Sequence, residues 1–423
     1  MELSNNYSSI FTGLSNYFTL TQRSYAGWRN FYLKKIKKVR SNNLTSTGYA
    51  ALSAAAVGLV LQGLVPAVMC FADAGILGKI SLLLRIFLFL AAVFLLLFFF
   101  RTACNPAWLM RLFRKMNHTE ANVCKAPSSE TAVWEGHYYL TNDVLFPSKF
   151  PGNYMDIYSC EKDFSVKHPV FLYAHGGGFV AGDKSNGDPN ALGIAGIVRM
   201  IKQLLDAGFT VISTGYVLAP EYRYPAPVMQ MTELLQFLTE HQEKFGLDME
   251  NVVFGGGSAG GHIMAQLANI QTNQAYAKEM GIEPVLCHGE LKAIYHGCAL
   301  LDNERFGNTG SRATDYLFYQ MGRAYFHTGV LEGNPSVIQS DVICHVTKDY
   351  PASFICDGNS GTFNVQAHDL ARRLTELGVK NKALIFDEPE YRRIPHGFDT
   401  LEYEEGEHSM QEMVAFVKEE VEI

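Results

Sequence analysis

Val252-Val253-Phe254-Gly255-Gly256-Gly257-Ser258-Ala259-Gly260-Gly261-His262 is the stretch on which the reading of this chain turns. A short β-branched and aromatic run ends in small residues. A helical pattern follows at once, with Ile263, Met264, Leu267, Ala268 and Ile270 on its apolar side. The segment therefore reads as strand, sharp turn, helix. A serine at the tip of such a turn has backbone crowded on both sides, and only glycine and alanine leave room for it. Its hydroxyl is then exposed at the edge of a sheet. A glycine-rich strand-to-helix turn can equally bind phosphate or nothing at all, so G-x-S-x-G alone does not decide the chemistry.

Two further motifs bear on that choice. His175-Gly176-Gly177-Gly178-Phe179 follows the apolar run Val170-Phe171-Leu172-Tyr173-Ala174. Three consecutive glycines after a buried strand let backbone N–H groups point at a ligand without side-chain obstruction. A phosphate nest competes with this reading, but no Lys-Ser/Thr completes a P-loop and no G-x-G-x-x-G opens a helix here. Ile394-Pro395-His396-Gly397-Phe398 lies after the last expected strand and before the last helix. A histidine in that loop is where a doubly wound sheet brings a base over a nucleophile. The chain order is then oxyanion loop, serine, acid, histidine.

On these residues the chain resembles the α/β-hydrolase superfamily, and within it the hormone-sensitive-lipase-like carboxylesterases, which pair an HGGGF loop with a GxSAGG turn. Tyr216-Val217-Leu218-Ala219-Pro220-Glu221 and Tyr224-Pro225-Ala226-Pro227 look like that family's YRLAPE and PA segment. The resemblance covers about residues 130–423. It implies that Ser258 is the nucleophile, His396 the general base, and the amides of Gly177, Gly178 and Ala259 the oxyanion donors. It implies hydrolysis of a small-molecule acyl ester without metal or organic cofactor.

The third member of the triad matches less well. An ungapped comparison anchored on Pro351 and on residues 371–374 places Gly361 where the family has its acid. Asp357 is the only carboxylate in Cys356-Asp357-Gly358-Asn359-Ser360-Gly361 and is the favoured acid, with Asp387 and Glu388 as alternatives. Other departures are Val217 for an arginine, Gln230 for an aspartate and Gly257 for an acidic residue. Glu221 reads as a structural anchor, and His262 as packing or capping.

The aromatic fraction of 12% and hydrophobic fraction of 48% exclude disorder as a general description. The net charge of −7 hides an asymmetry, because residues 1–115 carry +11 and the remainder −18. The basic end is not a nucleic-acid domain, since its charges flank two apolar stretches. Residues 49–72 contain no charge, and residues 80–100 contain only Arg85. Each reaches roughly the 30 Å of a hydrocarbon core. Both begin far from the N-terminus, which argues against a signal peptide. Two transmembrane helices are expected, about 49–72 and 80–100. A buried hairpin partner or re-entrant segment competes for the first, which contains Gln62 and Pro66. Residues 1–48 form a basic N-terminal segment, and Arg101, Arg111, Arg114 and Lys115 follow the second stretch. The positive-inside bias then places both ends, with the hydrolase domain, in the cytoplasm. The eight cysteines have no C-x-x-C spacing and read as free buried thiols.

Residues 101–129 are expected to be a linker. Residues 130–423 alternate strand-like runs (133–140, 155–160, 170–174, 210–216, 252–254, 293–296, 352–356 and 383–386) with helical patterns (191–206, 228–244, 259–273, 364–377 and 407–420). The expected fold class is α/β: an α/β-hydrolase fold with a mostly parallel, doubly wound sheet and helices on both faces, plus an N-terminal transmembrane hairpin. Residues 302–345 interrupt the alternation and are expected to roof the site. The expected function is a membrane-anchored serine hydrolase of acyl esters, lipid-derived ones among them. The alternatives are a non-catalytic binding protein on a degenerate hydrolase fold, or an acyltransferase or amidase with the same triad.

Overall fold

β4 (His168–Ala174) is a continuous apolar run and is buried from Pro169 onward, as a strand covered on both faces must be. In the computed structural model, which describes residues 76–116, 130–184, 194–387, 392–401 and 403–423, it lies near the middle of a nine-stranded sheet. The other strands are β1 (Thr131–Trp134), β2 (Tyr138–Leu145), β3 (Tyr154–Ser159), β5 (Thr210–Thr214), β6 (Leu247–Gly257), β7 (Leu291–Gly297), β8 (Ala352–Asp357) and β9 (Asn381–Ile385). Their order is β1-β2-β3-β5-β4-β6-β7-β8-β9. β1, β2, β3 and β5 pair antiparallel, and β5, β4, β6, β7, β8 and β9 run parallel.

The order turns back at β4, whose neighbours are β5 and β6. The carboxyl ends of β4 and β6 therefore open side by side, which is where an open α/β sheet places its ligands. The pairing of Ala174 with Gly256 sets the glycine loop after β4 beside the serine turn after β6.

The expected strand over 133–140 is a hairpin instead. Glu135 (φ 48°) and Gly136 (φ 87°) reverse the chain, and Trp134 pairs with Tyr138. The helices over the sheet are α3 (Ile194–Asp206), α4 (Ala226–Glu240), α5 (Ala259–Thr272), α6 (Gln274–Met280), α10 (Asn364–Glu376) and α11 (Glu404–Glu420). Phe171, Leu204, Phe209, Val253, Phe354, Phe398, Met413 and Phe416 join in one buried cluster under α3 and α11. Each such side chain contributes about 1.5–3 kcal/mol by leaving water.

A cluster of three charged side chains is buried at the antiparallel strands. Lys184 is 3% exposed, and its Nζ lies 2.5 Å from the Asp156 carboxylate and 2.8 Å from that of Asp143. The Ser213 hydroxyl donates to the Lys184 carbonyl at 3.0 Å, so the far end of the glycine-loop segment is tied to β5. Lys184→Met would leave two carboxylates buried without their cation. We expect a loss of about 3–5 kcal/mol in unfolding free energy, read as a lowered urea midpoint. An unchanged midpoint would show that the cluster adds no stability.

Residues 302–345 contain a 3-10 turn (Asn303–Arg305), α7 (Arg312–Phe326), α8 (Pro335–Gln339) and α9 (Val342–His345). Arg305 anchors the segment through Asp302 at 2.5 Å and Asp369 of α10 at 2.7 Å.

The N-terminal expectations are met in part. Residues 49–72 lie outside the described residues. α1 (Ile76–Cys104) contains Leu83–Cys104, which is long and apolar enough to cross a membrane. The expected linker over 101–129 is in part a helix. α2 (Pro106–Met116) belongs to the same compact unit as the sheet and packs against α7. Its Arg114, 5% exposed, donates to Glu221 and to the Ala219 carbonyl, each at 2.6 Å. This is the anchoring role expected of Glu221. A sequence of mixed polarity read as a linker because α2 is short and amphipathic, with its helix stabilised by docking.

The six described cysteines are free, but Cys104, Cys287 and Cys344 are exposed. Among them only Cys298 and Cys356 are fully buried thiols.

Candidate active site

Ser258 sits between β6 and α5 with φ 52° and ψ −115°, a conformation that non-glycine residues rarely adopt. Close packing holds it there. A Cβ on Gly260 would lie 2.1 Å from the Ala174 carbonyl oxygen, and one on Gly256 would lie 2.5 Å from the backbone of Gly260. Glycine at both places is therefore a steric requirement of the turn. The Ser258 amide donates to the Gly297 carbonyl at 2.8 Å, fixing the turn to β7 as well.

Three strand ends bring the other site groups to this serine. A Cβ on Gly176 would lie 3.5 Å from the Ser258 Cβ, so the glycine loop passes directly beside the hydroxyl-bearing carbon. Among the described residues, no protein acceptor takes a hydrogen bond from the amides of Gly177, Gly178 or Ala259. The loop after β8 is tied to the histidine loop by a bridge between Ser360 and Pro395, and the His396 amide donates to the Ser360 carbonyl at 3.2 Å. That tie lays His396 over the turn. Its Nε2 is 2.9 Å from Ser258 Oγ.

Asp357 ends β8, is 0% exposed, and does not hydrogen-bond to His396 itself. The hydroxyl of Thr362 stands between them. Thr362 Oγ1 lies 3.1 Å from His396 Nδ1 and donates a short hydrogen bond to Asp357 Oδ1. The Gly358 amide adds a second hydrogen bond to Oδ1 at 2.7 Å, whereas Oδ2 is buried without a hydrogen-bond partner among the described residues. Of the alternatives, Asp387 is 2.7 Å from His368 Nε2 near the surface, and Glu388 lies outside the described residues.

Burial pushes the Asp357 carboxyl up to about 7, against the pull of the Thr362 and Gly358 hydrogen bonds and with the nearby Asp399 charge adding to the rise. Burial pushes His396 down to about 4. Phe318 of α7 and Phe363 form the wall responsible, with ring centroids 5.3 Å and 5.2 Å from the imidazole. Met321 of α7 packs on the glycine loop, since its Sδ would lie 2.3 Å from a Cβ on Gly178. Tyr325 of α7 stacks on Phe179 at 3.9 Å. A cavity of about 340 Å³ opens beside His396, lined by Ser311, Thr314, Gly361 and Arg393 among others.

Two residues singled out in the sequence have supporting places. His262 is 0% exposed, with Nδ1 2.9 Å from the Leu300 carbonyl and Nε2 2.8 Å from Asn303 Nδ2; burial holds its pKa at about 4. The departures at Val217 and Gln230 are neighbours in space. The buried Gln230 carboxamide accepts from the Val217 amide at 2.8 Å and donates to the Pro151 carbonyl at 3.0 Å.

Thr362, Phe318 and Phe363 are absent from the sequence expectations. Thr362 had a signal. With glycine at position 361, its neighbours Ser360 and Thr362 carry the nearest side chains able to hydrogen-bond. The two phenylalanines had none, because an aromatic residue in an insertion is not distinguishable from core by type.

Comparison with known proteins places the chain among related sequences and folds. The chain is similar to Esterase LipI of Mycobacterium tuberculosis (strain ATCC 25618 / H37Rv), with 36% identity over 118 residues, 28% of this chain and 32% of that protein. It is similar to Ethyl acetate hydrolase of Pseudomonas putida, with 32% identity over 109 residues, 26% of this chain and 31% of that protein. The matched region thus spans about a third of these curated relatives. Among solved structures, esterase B from Lactobacillus rhamnosis superposes with a TM-score of 0.55 at 17% identity, covering 74% of this chain and 93% of that one. EstE1, a carboxylesterase cloned from a metagenomic library, gives 0.55 at 18% identity, covering 75% and 98%. These two likenesses carry the fold alone. The family model for the alpha/beta hydrolase fold matches residues 171–399, more than half of the chain and the run from within β4 to the turn after His396, so the chain belongs to the α/β-hydrolase family.

Proposed function

We propose that the chain is a serine carboxylesterase that cleaves acyl esters through an acyl-serine intermediate. The observation that carries this reading is the 2.9 Å approach of His396 Nε2 to the hydroxyl of a serine held at φ 52° beside a glycine loop with unengaged amides. A serine hydroxyl is a weak nucleophile until a base takes its proton, and His396 is placed to do so. The Ser258 oxygen attacks the acyl carbon, and the proton passes to Nε2. The oxyanion that forms is taken by the amides of Gly177, Gly178 and Ala259, and each such donor is worth about 3–4 kcal/mol of barrier. The alcohol leaves with the proton from His396. Water, deprotonated by the same nitrogen, then releases the acid. Relatives named as esterases and as an ethyl acetate hydrolase support this reaction class.

The aromatic wall of Phe318 and Phe363 suits an apolar acyl or alcohol group, lipid-derived esters included. Leu83–Cys104, apolar and long enough to span, supports attachment to a bilayer, and a cytoplasmic catalytic domain follows if residues 49–72 span as well, which brings the basic residues 1–48 to the same side as Arg111, Arg114 and Lys115.

A fluorophosphonate probe and a chain-length panel of p-nitrophenyl esters test the reading together. Wild type is expected to label and to turn over, and Ser258→Ala to lose both. Folded wild-type protein that neither labels nor hydrolyses any ester in the panel would sink it.

A further inference from the structure

We propose that Asp357 acts on His396 through the hydroxyl of Thr362, so that the hydrogen-bonded chain at this site has four members, Ser258, His396, Thr362 and Asp357, with Thr362 as a positioning residue. The inference rests on the esterase reading and names a part of the same site.

The geometry gives the chain one direction. An ionised carboxylate can only accept, so the Thr362 hydroxyl proton points at Asp357 Oδ1. The lone pairs of Oγ1 are then left for His396 Nδ1 at 3.1 Å, which must carry a proton to use them. With its proton on Nδ1, the neutral ring presents a bare Nε2 to Ser258 Oγ at 2.9 Å, the tautomer a general base requires. Thr362 thus selects which nitrogen is basic. It is fit to do so, being 2% exposed and β-branched, and followed by Phe363, whose ring stands edge-on to the imidazole.

A protonated Asp357 reverses the direction. The carboxylic acid donates to Thr362 Oγ1, the hydroxyl proton turns to Nδ1, and the imidazole proton is driven to Nε2, where it blocks the base. Asp357 gains an O–H bond with a proton from solvent, and the ring gives its Nδ1 proton to solvent and takes one back on Nε2, so the site gains one proton in all. The groups facing Asp357 are Asp399 and His396 from the last loop, Cys298 after β7, and Cys356 on β8. Asp399 accepts from the Tyr295 hydroxyl at 2.6 Å. None of these neighbours is a cation that would hold Asp357 ionised to low pH, in keeping with its elevated pKa of about 7. Asp357 reaches Thr362 and not the imidazole, and position 361, where the resemblance puts the acid, is glycine.

The test uses the full chain in detergent, p-nitrophenyl butyrate, and four variants. Thr362→Val, which keeps the shape and removes the hydroxyl, is expected to lower kcat by about 10²- to 10⁴-fold with KM little changed. Thr362→Ser is expected to recover most of that loss, which separates the hydroxyl from packing. In wild type kcat/KM should rise through a step near pH 7 as Asp357 ionises, and this step should vanish in Thr362→Val and in Asp357→Asn alike. The double variant Thr362→Val with Asp357→Asn should be no slower than the worse single variant, since the Asp357 carboxylate acts on His396 only through the Thr362 hydroxyl. Wild-type kcat in Thr362→Val, or a surviving step near pH 7, overturns the proposal while leaving the esterase reading intact. If wild type shows neither turnover nor Ser258-dependent labelling, the esterase reading falls, and the relay is decided by nitrogen NMR of labelled histidine. A His396 proton fixed on Nδ1 in wild type and redistributed in Thr362→Val supports the relay. The same tautomer in both overturns it.

Discussion

His396→Gln is expected to lower kcat/KM by about 10⁴- to 10⁶-fold at pH 8, because glutamine keeps a polar side chain of similar reach but cannot take the Ser258 proton and return it to the leaving alcohol. Ser258→Ala should cost about as much. The double variant should cost no more than either, since a nucleophile without its base and a base without its nucleophile are equally idle. What remains would be the contribution of the glycine loop and of binding. The measurement is initial velocity against substrate concentration for the three variants at one pH, with circular dichroism to show that each is folded. If His396→Gln kept more than a few per cent of wild-type turnover, another group would be the base, and the 2.9 Å approach to Ser258 Oγ would be packing.

Asp357→Asn should move stability and activity in opposite directions. In the folded chain the Asp357 pKa rises from about 3.8 to about 7, so the native state binds its proton more tightly than the unfolded chain does. The sign follows from linkage. Stability falls as pH rises from about 4 to about 7, and above that the native state bears the whole cost of a buried carboxylate. That rise corresponds to about 4 kcal/mol at most. Asparagine removes this dependence. Its oxygen can still accept from Thr362 and from the Gly358 amide, while its NH₂ group takes the place of the partnerless Oδ2 at a cost of about 1–3 kcal/mol at every pH. The difference in unfolding free energy, variant minus wild type, is therefore expected to climb by up to about 4 kcal/mol between pH 4 and pH 8, while turnover at pH 8 drops by orders of magnitude. Urea denaturation at four or five pH values reads the first, and ester hydrolysis the second. A difference that does not change with pH would mean that Asp357 titrates as an ordinary carboxylate.

The parts of the site that were legible in the sequence are those whose chemistry is written locally. Ser258 and its glycines form one continuous turn. The three glycines after His175 announce a backbone that must come close to something. His396 sits in a short loop whose place in the strand order already aims it at the serine. Asp357 was legible as a residue but not as a contact. Its path to His396 depends on the bridge between Ser360 and Pro395, a register between two loops that no spacing within either loop records. The hairpin between β1 and β2 was missed for a related reason, since an apolar strand pattern continues across Glu135 and Gly136 although the backbone turns there. The docking of α2 was hidden because a helix of that length owes its existence to Glu221, more than a hundred residues away.

The placement of β9 has a consequence for how the protein ages under stress. Among the described residues β9 pairs only with β8; it stands at the margin of the sheet and is half-exposed along its length, yet the chain leaving it is the one that carries His396. The serine turn, by contrast, is rooted in β6 at the centre. Local opening begins where few buried contacts resist it. The nucleophile and its base therefore belong to regions of unequal endurance. The first casualty of mild heat or denaturant is the pairing of Ser258 with His396, and a chain that still looks folded by its helices can already have lost its working partner at the rim.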